Sequence, residues 1–292
     1  MTDHAPDHTP ERDPVTGYRT TGHQWNGITE LNAPVPRAVW GFMTVTHVVA
    51  LVILILMPAI PLGRSYTKGL LGLQSGEMVD AEVAAAQSAK APFMTAVLSN
   101  SFAATQADAT LMPIVKTTGA SLFGDNCAAC HGQQGGGGPG FPRLNDDDWL
   151  WGNAAETIHE TLRVGINVAH PETRYAQMPA FGRDELLTRP QIELLVPHVI
   201  SLSTPGAATT PEATVLFAEN CASCHGDTGA GMIDVGAPNL TDDIWQYGGG
   251  TDAIRATLRY GRQGQMPAWD TRLTEAERKI LTLYVLTLGD AQ

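Results

Sequence analysis

Two near-identical pentapeptides, Cys127-Ala-Ala-Cys130-His131 and Cys221-Ala-Ser-Cys224-His225, decide the fold of this chain. They contain all four cysteines of the 292 residues, and the second begins 94 residues after the first. Each is preceded at the same distance by Leu-Phe and then by Asn. Because the context is duplicated together with the motif, the two copies indicate an internal repeat rather than a chance match.

The repeat continues after both pentapeptides. The matched blocks are Pro142-x-Leu144-x-Asp146-Asp147-x-Trp149 with Pro238-x-Leu240-x-Asp242-Asp243-x-Trp245, Thr161-Leu162-Arg163-x-Gly165 with Thr257-Leu258-Arg259-x-Gly261, and Met178-Pro-Ala-Phe181 with Met266-Pro-Ala-Trp269. The sequence therefore predicts two domains of one fold, at residues 119–203 and 211–292. Residues 204–210 have the composition of a linker between them.

Both copies end in a helical pattern of apolar residues. The residues of these patterns are Leu186, Ile192, Leu195, Val196 and Val199 in the first copy and Ile280, Leu283, Tyr284 and Leu288 in the second. Pro197 is expected to kink the first helix or to end it early. No alternation of period two extends over a useful length, so the fold class is predicted to be mainly α.

The Cys-x-x-Cys-His spacing is the attachment signature of c-type haem. Two thiols one helical turn apart can form thioethers along one porphyrin edge, and the adjacent histidine then reaches the iron. A zinc site would need the two cysteine pairs to converge, and a thioredoxin-like redox pair would not need a histidine after each. We therefore predict two covalently bound haem c groups. Their thioether residues would be Cys127, Cys130, Cys221 and Cys224, and their axial histidines His131 and His225.

A methionine is expected to be the second iron ligand of each haem. Met178 is the only methionine in residues 119–203, and Met266 occupies the matching place in the second copy. Met232 lies only seven residues after His225, too near to reach the opposite haem face. Because each copy carries a complete set, we expect each methionine to serve its own copy. Three histidines remain alternatives to Met178, namely His159, His170 and His198.

A His/Met pair fills both axial positions of the iron. Such a site suits electron transfer and leaves no position for oxygen or peroxide to bind. The chain is therefore predicted to be a non-catalytic electron-transfer protein. Arg163 and Arg259 are expected either to pair with haem propionates or to be solvated.

An uncharged apolar segment precedes the repeat. No charged residue occurs between Ala38 and Gly63, and about 20 apolar residues suffice to cross a bilayer as a helix. The segment lies too far along the chain for a cleaved signal peptide and lacks an A-x-A cleavage site. A buried core helix is disfavoured because the run is apolar on nearly every face. We predict an uncleaved transmembrane anchor at residues 38–63.

The remaining segments are predicted from their composition. Residues 1–37 are polar and rich in turn formers, which favours extended or disordered backbone. Residues 64–118 form a spacer with a helix at 77–90, an interruption at Pro92 and a second helical piece at 93–105. The formal charge of −12 argues against nucleic acid as a partner and favours attraction to a basic protein.

The repeated domains resemble class I cytochromes c, and the whole chain resembles the dihaem subunit III of cbb3-type cytochrome c oxidase. This resemblance rests on Gly27-Ile-x-Glu30-Leu-Asn32-x-Pro34-x-Pro36-Arg37 before a single anchor and on Lys68-Gly69-Leu-Leu-Gly72 after it. Ala33, Ala38, Val39 and His47 depart from the family pattern. In class I cytochromes c a proline carbonyl holds the proximal histidine, and Pro142 and Pro238 occupy that place.

The resemblance implies one N-terminal transmembrane helix followed by two tandem class I cytochrome c domains. Electrons would pass from a donor cytochrome c through both haems to the monohaem and catalytic subunits of the oxidase, which reduce oxygen and pump protons. Haem c is attached outside the bacterial inner membrane, so the haem domains would be periplasmic and the N-terminus cytoplasmic. A free-standing membrane-anchored dihaem shuttle and a dihaem peroxidase are the alternatives.

Overall fold

The computed structural model of the chain describes residues 11–204 and 206–289. Contacts between residues divide after Gln87 into two compact units. The first contains the N-terminal arm and the apolar helix, and the second contains both Cys-x-x-Cys-His motifs. The prediction of a mainly α chain is confirmed.

A two-stranded antiparallel hairpin occupies part of the N-terminal arm. Strand β1, Thr20–Trp25, pairs with β2, Ile28–Leu31, across a turn at Asn26 and Gly27. Both turn residues have positive φ, 49° and 87°, and Asn-Gly is the preferred sequence for such a turn. The backbone of this segment is extended, as predicted, but the pairing of the two strands into a hairpin was not predicted. Residues 1–10 lie outside the described part of the chain.

Helix α1, Arg37–Leu56, is the predicted anchor. Its 20 residues correspond to about 30 Å, the thickness of a bilayer hydrocarbon core. None of them is buried against the described chain, and the helix is long and apolar enough to cross a membrane. It ends before the predicted limit of residue 63 because Pro58 follows, which disfavours helical backbone at Met57.

The end of α1 is capped by the segment that follows it. The Leu70 and Leu71 N–H groups donate to the carbonyl oxygens of Ile55 and Leu56, each at 3.0 Å. Gly69 turns the chain there with φ +66°, and a β-carbon would collide with the Leu56 carbonyl oxygen. Unpaired carbonyl groups are costly near lipid, so these bonds give a physical reason for the Lys-Gly-Leu-Leu-Gly segment.

Three helices lead to the first haem motif: α2, Ser75–Ser99, α3, Phe102–Ala107, and α4, Leu111–Asn126. The helix predicted at 77–90 is present, but Pro92 does not interrupt it. A proline inside a helix removes one backbone hydrogen bond. Helix α2 nevertheless continues on both sides of Pro92. A domain boundary at residue 119 would fall inside α4.

Seven further helices follow in the described part of the second unit. They are α5, Ala128–His131, α6, Ala155–Val164, α7, Arg189–Ser203, α8, Pro211–Asn220, α9, Ala222–His225, α10, Thr251–Tyr260, and α11, Glu275–Leu286. Helix α7 continues through Pro197, so the expected early end is wrong. Leu186 precedes α7 and is 56% exposed, whereas Leu187, at 6%, takes its place in the core.

The last helices of the two copies are exchanged. Helix α11 of the second copy packs against α4 and α6 of the first, whereas α7 of the first packs against α8 and α10 of the second. A pair of rings lies at each contact. The ring centroids of Tyr284 and Phe123 are 5.6 Å apart, and those of His198 and Phe217 are 5.2 Å apart. We call α4, α5, α6 and α11 the first half, and α7 to α10 the second half.

Each half encloses its own apolar core. Leu281 of α11 is fully buried with Phe123 and Leu162 in the first half, and Leu195 of α7 is fully buried in the second. The outer side of α11 is also covered, because Ile280 packs against residues of α2 and α4. Helix α11 is therefore buried on most of its surface.

Candidate haem-binding sites

Each Cys-x-x-Cys-His motif forms one short helical turn. The Cys130 and His131 N–H groups donate to the Cys127 carbonyl oxygen at 3.1 and 2.9 Å, and the second motif repeats both distances. The first cysteine of each motif is buried, the second is exposed, and all are free thiols. The two thiols of a motif therefore lie one turn apart at the edge of a core, which fits two thioether bonds to one porphyrin edge.

Burial raises the pKa of the first cysteine in each motif. The pKa of Cys127 and of Cys221 rises to about 11, and the second cysteine of the motif adds to the effect. Both thiols therefore remain protonated near neutral pH. A redox-active pair of the thioredoxin type depends on a thiolate of low pKa, so this environment disfavours that alternative.

A proline carbonyl holds the ring of each motif histidine. Nδ1 of His131 lies 3.1 Å from the Pro142 carbonyl oxygen, and Nδ1 of His225 lies 3.0 Å from that of Pro238. Because a carbonyl only accepts, Nδ1 carries the proton and Nε2 keeps its lone pair for a metal. Burial lowers the pKa of both imidazoles, partly offset by the proline carbonyl, which favours the neutral, ligating form.

The two Met-Pro-Ala segments lie against the copy other than their own. Met266 and Ile166 exchange two backbone hydrogen bonds of 2.9 and 3.0 Å, and Met178 and Arg262 exchange two of 2.9 and 3.1 Å. Met266 packs on the core that contains Cys127, and Met178 packs on the core of the second motif. The expected assignment of each methionine to its own copy does not agree with this packing.

The alternative ligands have other partners. His159 and His170 lie 3.3 and 3.2 Å from a carboxylate oxygen. His198 is 6% exposed, and its Nδ1 lies 2.6 Å from the Thr209 hydroxyl oxygen. Met232 is 37% exposed in a loop. Met178 and Met266 therefore stay the predicted methionine ligands.

Two arginines that the sequence did not single out occupy equivalent places in the halves. Arg174 Nε donates to the Thr161 hydroxyl at 2.8 Å, and Arg262 Nε donates to the Thr257 hydroxyl at 2.9 Å. Each guanidinium also lies over an aromatic ring, at 4.8 and 4.3 Å from the centroid. The two positions do not match in the sequence repeat, so aligning the copies could not reveal them.

These arginines differ from Arg163 and Arg259, which the sequence left open between propionate pairing and solvation. Arg163 donates to the carboxylates of Glu160 and Glu172 at 2.7 and 2.8 Å. Within the described residues Arg174 forms no ion pair, and burial lowers its pKa, partly offset by Glu160. Arg174 and Arg262 therefore keep N–H groups that no carboxylate of the described chain occupies.

The acidic loops that follow Pro142 and Pro238 influence each other. Burial, together with the neighbouring charges of Asp242 and Asp146, raises the pKa of Asp148 to about 6. A carboxyl whose pKa is higher in the folded chain binds more protons when folded, so its ionisation destabilises the fold as pH rises. The affected window extends from the ordinary pKa of 3.8 to about 6.

Asp148→Asn is expected to stabilise the chain above pH 6 and to change nothing below pH 4. Because the side chain is only partly buried, solvent screening reduces the gain at pH 7.5 to about 1 kcal/mol or less. Thermal unfolding of the haem-loaded chain at both ends of this window measures it. Asp147→Asn, at an exposed neighbouring position, is the matched control, and an equal gain from both variants would contradict the assignment to Asp148.

Each of the two units matches a known protein family. The family described as "Cytochrome C oxidase, cbb3-type, subunit III" matches residues 115–199 and 208–285. The family described as "N-terminal domain of cytochrome oxidase-cbb3, FixP" matches residues 17–64. The matched residues include the hairpin, helix α1 and both haem motifs.

Similar proteins extend over nearly the same length. A protein named Cbb3-type cytochrome c oxidase subunit FixP, from Bradyrhizobium sp. (strain ORS 278), is 43% identical over 294 residues, which cover 99% of each chain. One named subunit CcoP, from Cereibacter sphaeroides, is 43% identical over 94% of this chain and 95% of its own. A CcoP from Azospirillum sp. (strain B510) is 41% identical over 95% and 97%.

Proposed function

Because the chain belongs to the subunit III family of cbb3-type cytochrome c oxidase, we propose that it relays electrons from a cytochrome c through two covalent haems to the monohaem and catalytic subunits. The catalytic subunit would reduce oxygen to water and pump protons. The observation that carries the proposal is the duplicated Cys-x-x-Cys-His turn, with each histidine Nδ1 bonded to a proline carbonyl.

Eight side chains would hold the two haem c groups. The thioethers would form at Cys127, Cys130, Cys221 and Cys224, and the axial ligands would be His131, His225, Met178 and Met266. Bound haem c supplies a one-electron iron couple. The protein presents Nε2 of each histidine and a soft methionine sulfur, a ligand pair that raises the potential. Two protein ligands for each iron would leave no open position, which disfavours the dihaem peroxidase.

Helix α1 would anchor the subunit in the bacterial inner membrane as a single span. Haem c is attached on the outer face of that membrane, which supports a periplasmic second unit and a cytoplasmic N-terminus. No residue of α1 is buried against the described chain, so the helix can pack against the catalytic subunit. The charge of −12 favours attraction to a basic donor cytochrome c.

Affinity purification of the tagged full-length chain from native membranes tests this function. We expect two covalent haem c groups per chain, together with haem b and copper from the catalytic subunit, and oxygen uptake driven by reduced cytochrome c. A chain with Cys221→Ala and Cys224→Ala is the matched control and should retain one haem c.

Two results would contradict the proposal in different ways. A chain that purifies alone with two haems would support the free-standing shuttle. Fewer than two haems in the mature native chain would contradict the dihaem assignment itself.

A further inference from the structure

We propose that His47 docks helix α1 onto a transmembrane helix of another oxidase subunit, which presents an N–H or O–H donor to the Nε2 atom of its ring. This inference rests on the oxidase assembly proposed above. It adds which face of the anchor makes the contact and which atom of that face is recognised.

The depth of His47 in the membrane span is the first support. Helix α1 extends from Arg37 to Leu56, so at 1.5 Å per residue the ring lies about 15 Å from one end and about 14 Å from the other. Long lysine and arginine side chains can reach interfacial water from inside a bilayer, but an imidazole at the midpoint is too short to do so. The polar atoms of His47 must therefore be satisfied by protein.

The hydrogen bond of the ring gives the second support. Nδ1 of His47 lies 2.7 Å from the Met43 carbonyl oxygen. Because a carbonyl only accepts, Nδ1 carries the hydrogen, and Nε2 of the neutral ring is a bare acceptor. No residue of the described chain bonds to Nε2 or buries any part of α1. A polar atom without a partner is costly in hydrocarbon, and lipid chains offer no donor.

The two threonines of α1 do not have the same need. The Thr44 hydroxyl donates to the Trp40 carbonyl oxygen at 2.8 Å, and the Thr46 hydroxyl donates to that of Phe42 at 3.0 Å. Both hydroxyl hydrogens are therefore bonded within the helix. The bare Nε2 of His47 is the group that requires a donor from outside the chain.

The side chains around His47 indicate which side of α1 faces protein. Thr44, Ala50 and Leu51 lie one helical turn from His47 on its own side, and Leu54 lies two turns away. The opposite side carries only larger apolar residues, namely Phe42, Val45, Val49, Val52 and Leu56. Small residues beside a polar one let a second helix approach closely, whereas bulky aliphatic side chains suit lipid. We call the first set the His47 face and the second the opposite face.

Photo-crosslinking of the full-length tagged chain in native membranes tests the docking face. A benzophenone amino acid in place of Leu51 should form an adduct with another oxidase subunit, which mass spectrometry identifies. The same group in place of Val49, on the opposite face, is the matched control and should react with lipid. Protein adducts formed only from the Val49 position, or adducts with a second copy of this chain, would overturn the inference.

Replacement of His47 tests the hydrogen bond. His47→Leu keeps the helix apolar enough to insert but removes the acceptor, so the dissociation constant of the subunit in detergent should rise about threefold. The haem b and copper retained by the tagged chain on dilution measure it. His47→Gln, which carries a carbonyl acceptor at a similar reach, should restore retention, and Val49→Leu should leave it unchanged.

The outcomes separate this inference from the function on which it rests. If His47→Leu retained the other subunits as firmly as the unchanged chain, or if His47→Gln failed to restore them, the hydrogen bond would be overturned and the oxidase assembly would stand. An unchanged chain that brings down neither haem b nor copper would instead contradict the assembly itself.

Discussion

His131→Ala is expected to stop the oxidation of cytochrome c by the assembled oxidase almost completely. The change removes the imidazole that Pro142 orients, and with it the proposed iron ligand of the first haem. An interrupted relay has no second path, so turnover with reduced cytochrome c should fall at least about a hundredfold, which corresponds to a barrier that is higher by about 2.7 kcal/mol or more. Stopped-flow and oxygen-uptake measurements on the purified complex give the value.

His159→Ala is the matched control for that variant. His159 belongs to the same copy and contacts the Glu275 carboxylate, at 3.3 Å, rather than a haem-motif residue. Its turnover should stay close to that of the unchanged chain. Haem b and copper contents show whether each complex is assembled. Normal turnover by an assembled His131→Ala complex would mean that electrons bypass the first haem.

Leu281→Ala is expected to destabilise the half that carries Cys127, although Leu281 belongs to the second copy. The side chain is fully buried with Phe123 and Leu162. Replacing a buried leucine by alanine costs about 2–5 kcal/mol, because transfer energy is lost and a cavity remains. Thermal unfolding followed through haem resonances assigned to Cys127 and Cys221 measures the effect separately for each half.

Leu195→Ala is the matched variant at the equivalent place on α7. Leu195 is also fully buried, but in the core that contains Phe217 and Cys221. It should therefore weaken the second half first, and the two variants should show opposite patterns. If Leu281→Ala instead weakened the haem at Cys221 first, the packing of α11 on the first half would be contradicted in solution.

Local patterns in the sequence were sufficient to predict the features that depend only on neighbouring residues. The thiol spacing, the histidine that follows and the methionine segments are all short-range patterns, and the helix of the spacer is one too. Asn26-Gly27 was an equally local signal for the hairpin, which the polar composition of the arm obscured. Pro92 was misread because a proline costs one hydrogen bond, which a long helix can tolerate.

The exchange of α7 and α11 has no such local signal. The two copies present nearly the same core to a closing helix, with Phe123 in one and Phe217 in the other. The repeat-matched residues therefore do not indicate whether α7 or α11 packs on a given half. Which pairing is formed depends on contacts between segments far apart in sequence.

Residue spacing and composition alone identified the two Cys-x-x-Cys-His motifs and the apolar helix α1, and they predicted the same types of iron ligand for both copies. The packing of each closing helix on its half depends on long-range contacts. Ile280 packs on the spacer helices, and Lys279 donates to the Asn100 carbonyl oxygen, so α11 buries its outer side against them. The corresponding side of α7 carries Glu193, which pairs with Arg255 at 2.9 Å. If α7 took the place of α11, the spacer helices would cover this charged pair, and it would lose its hydration.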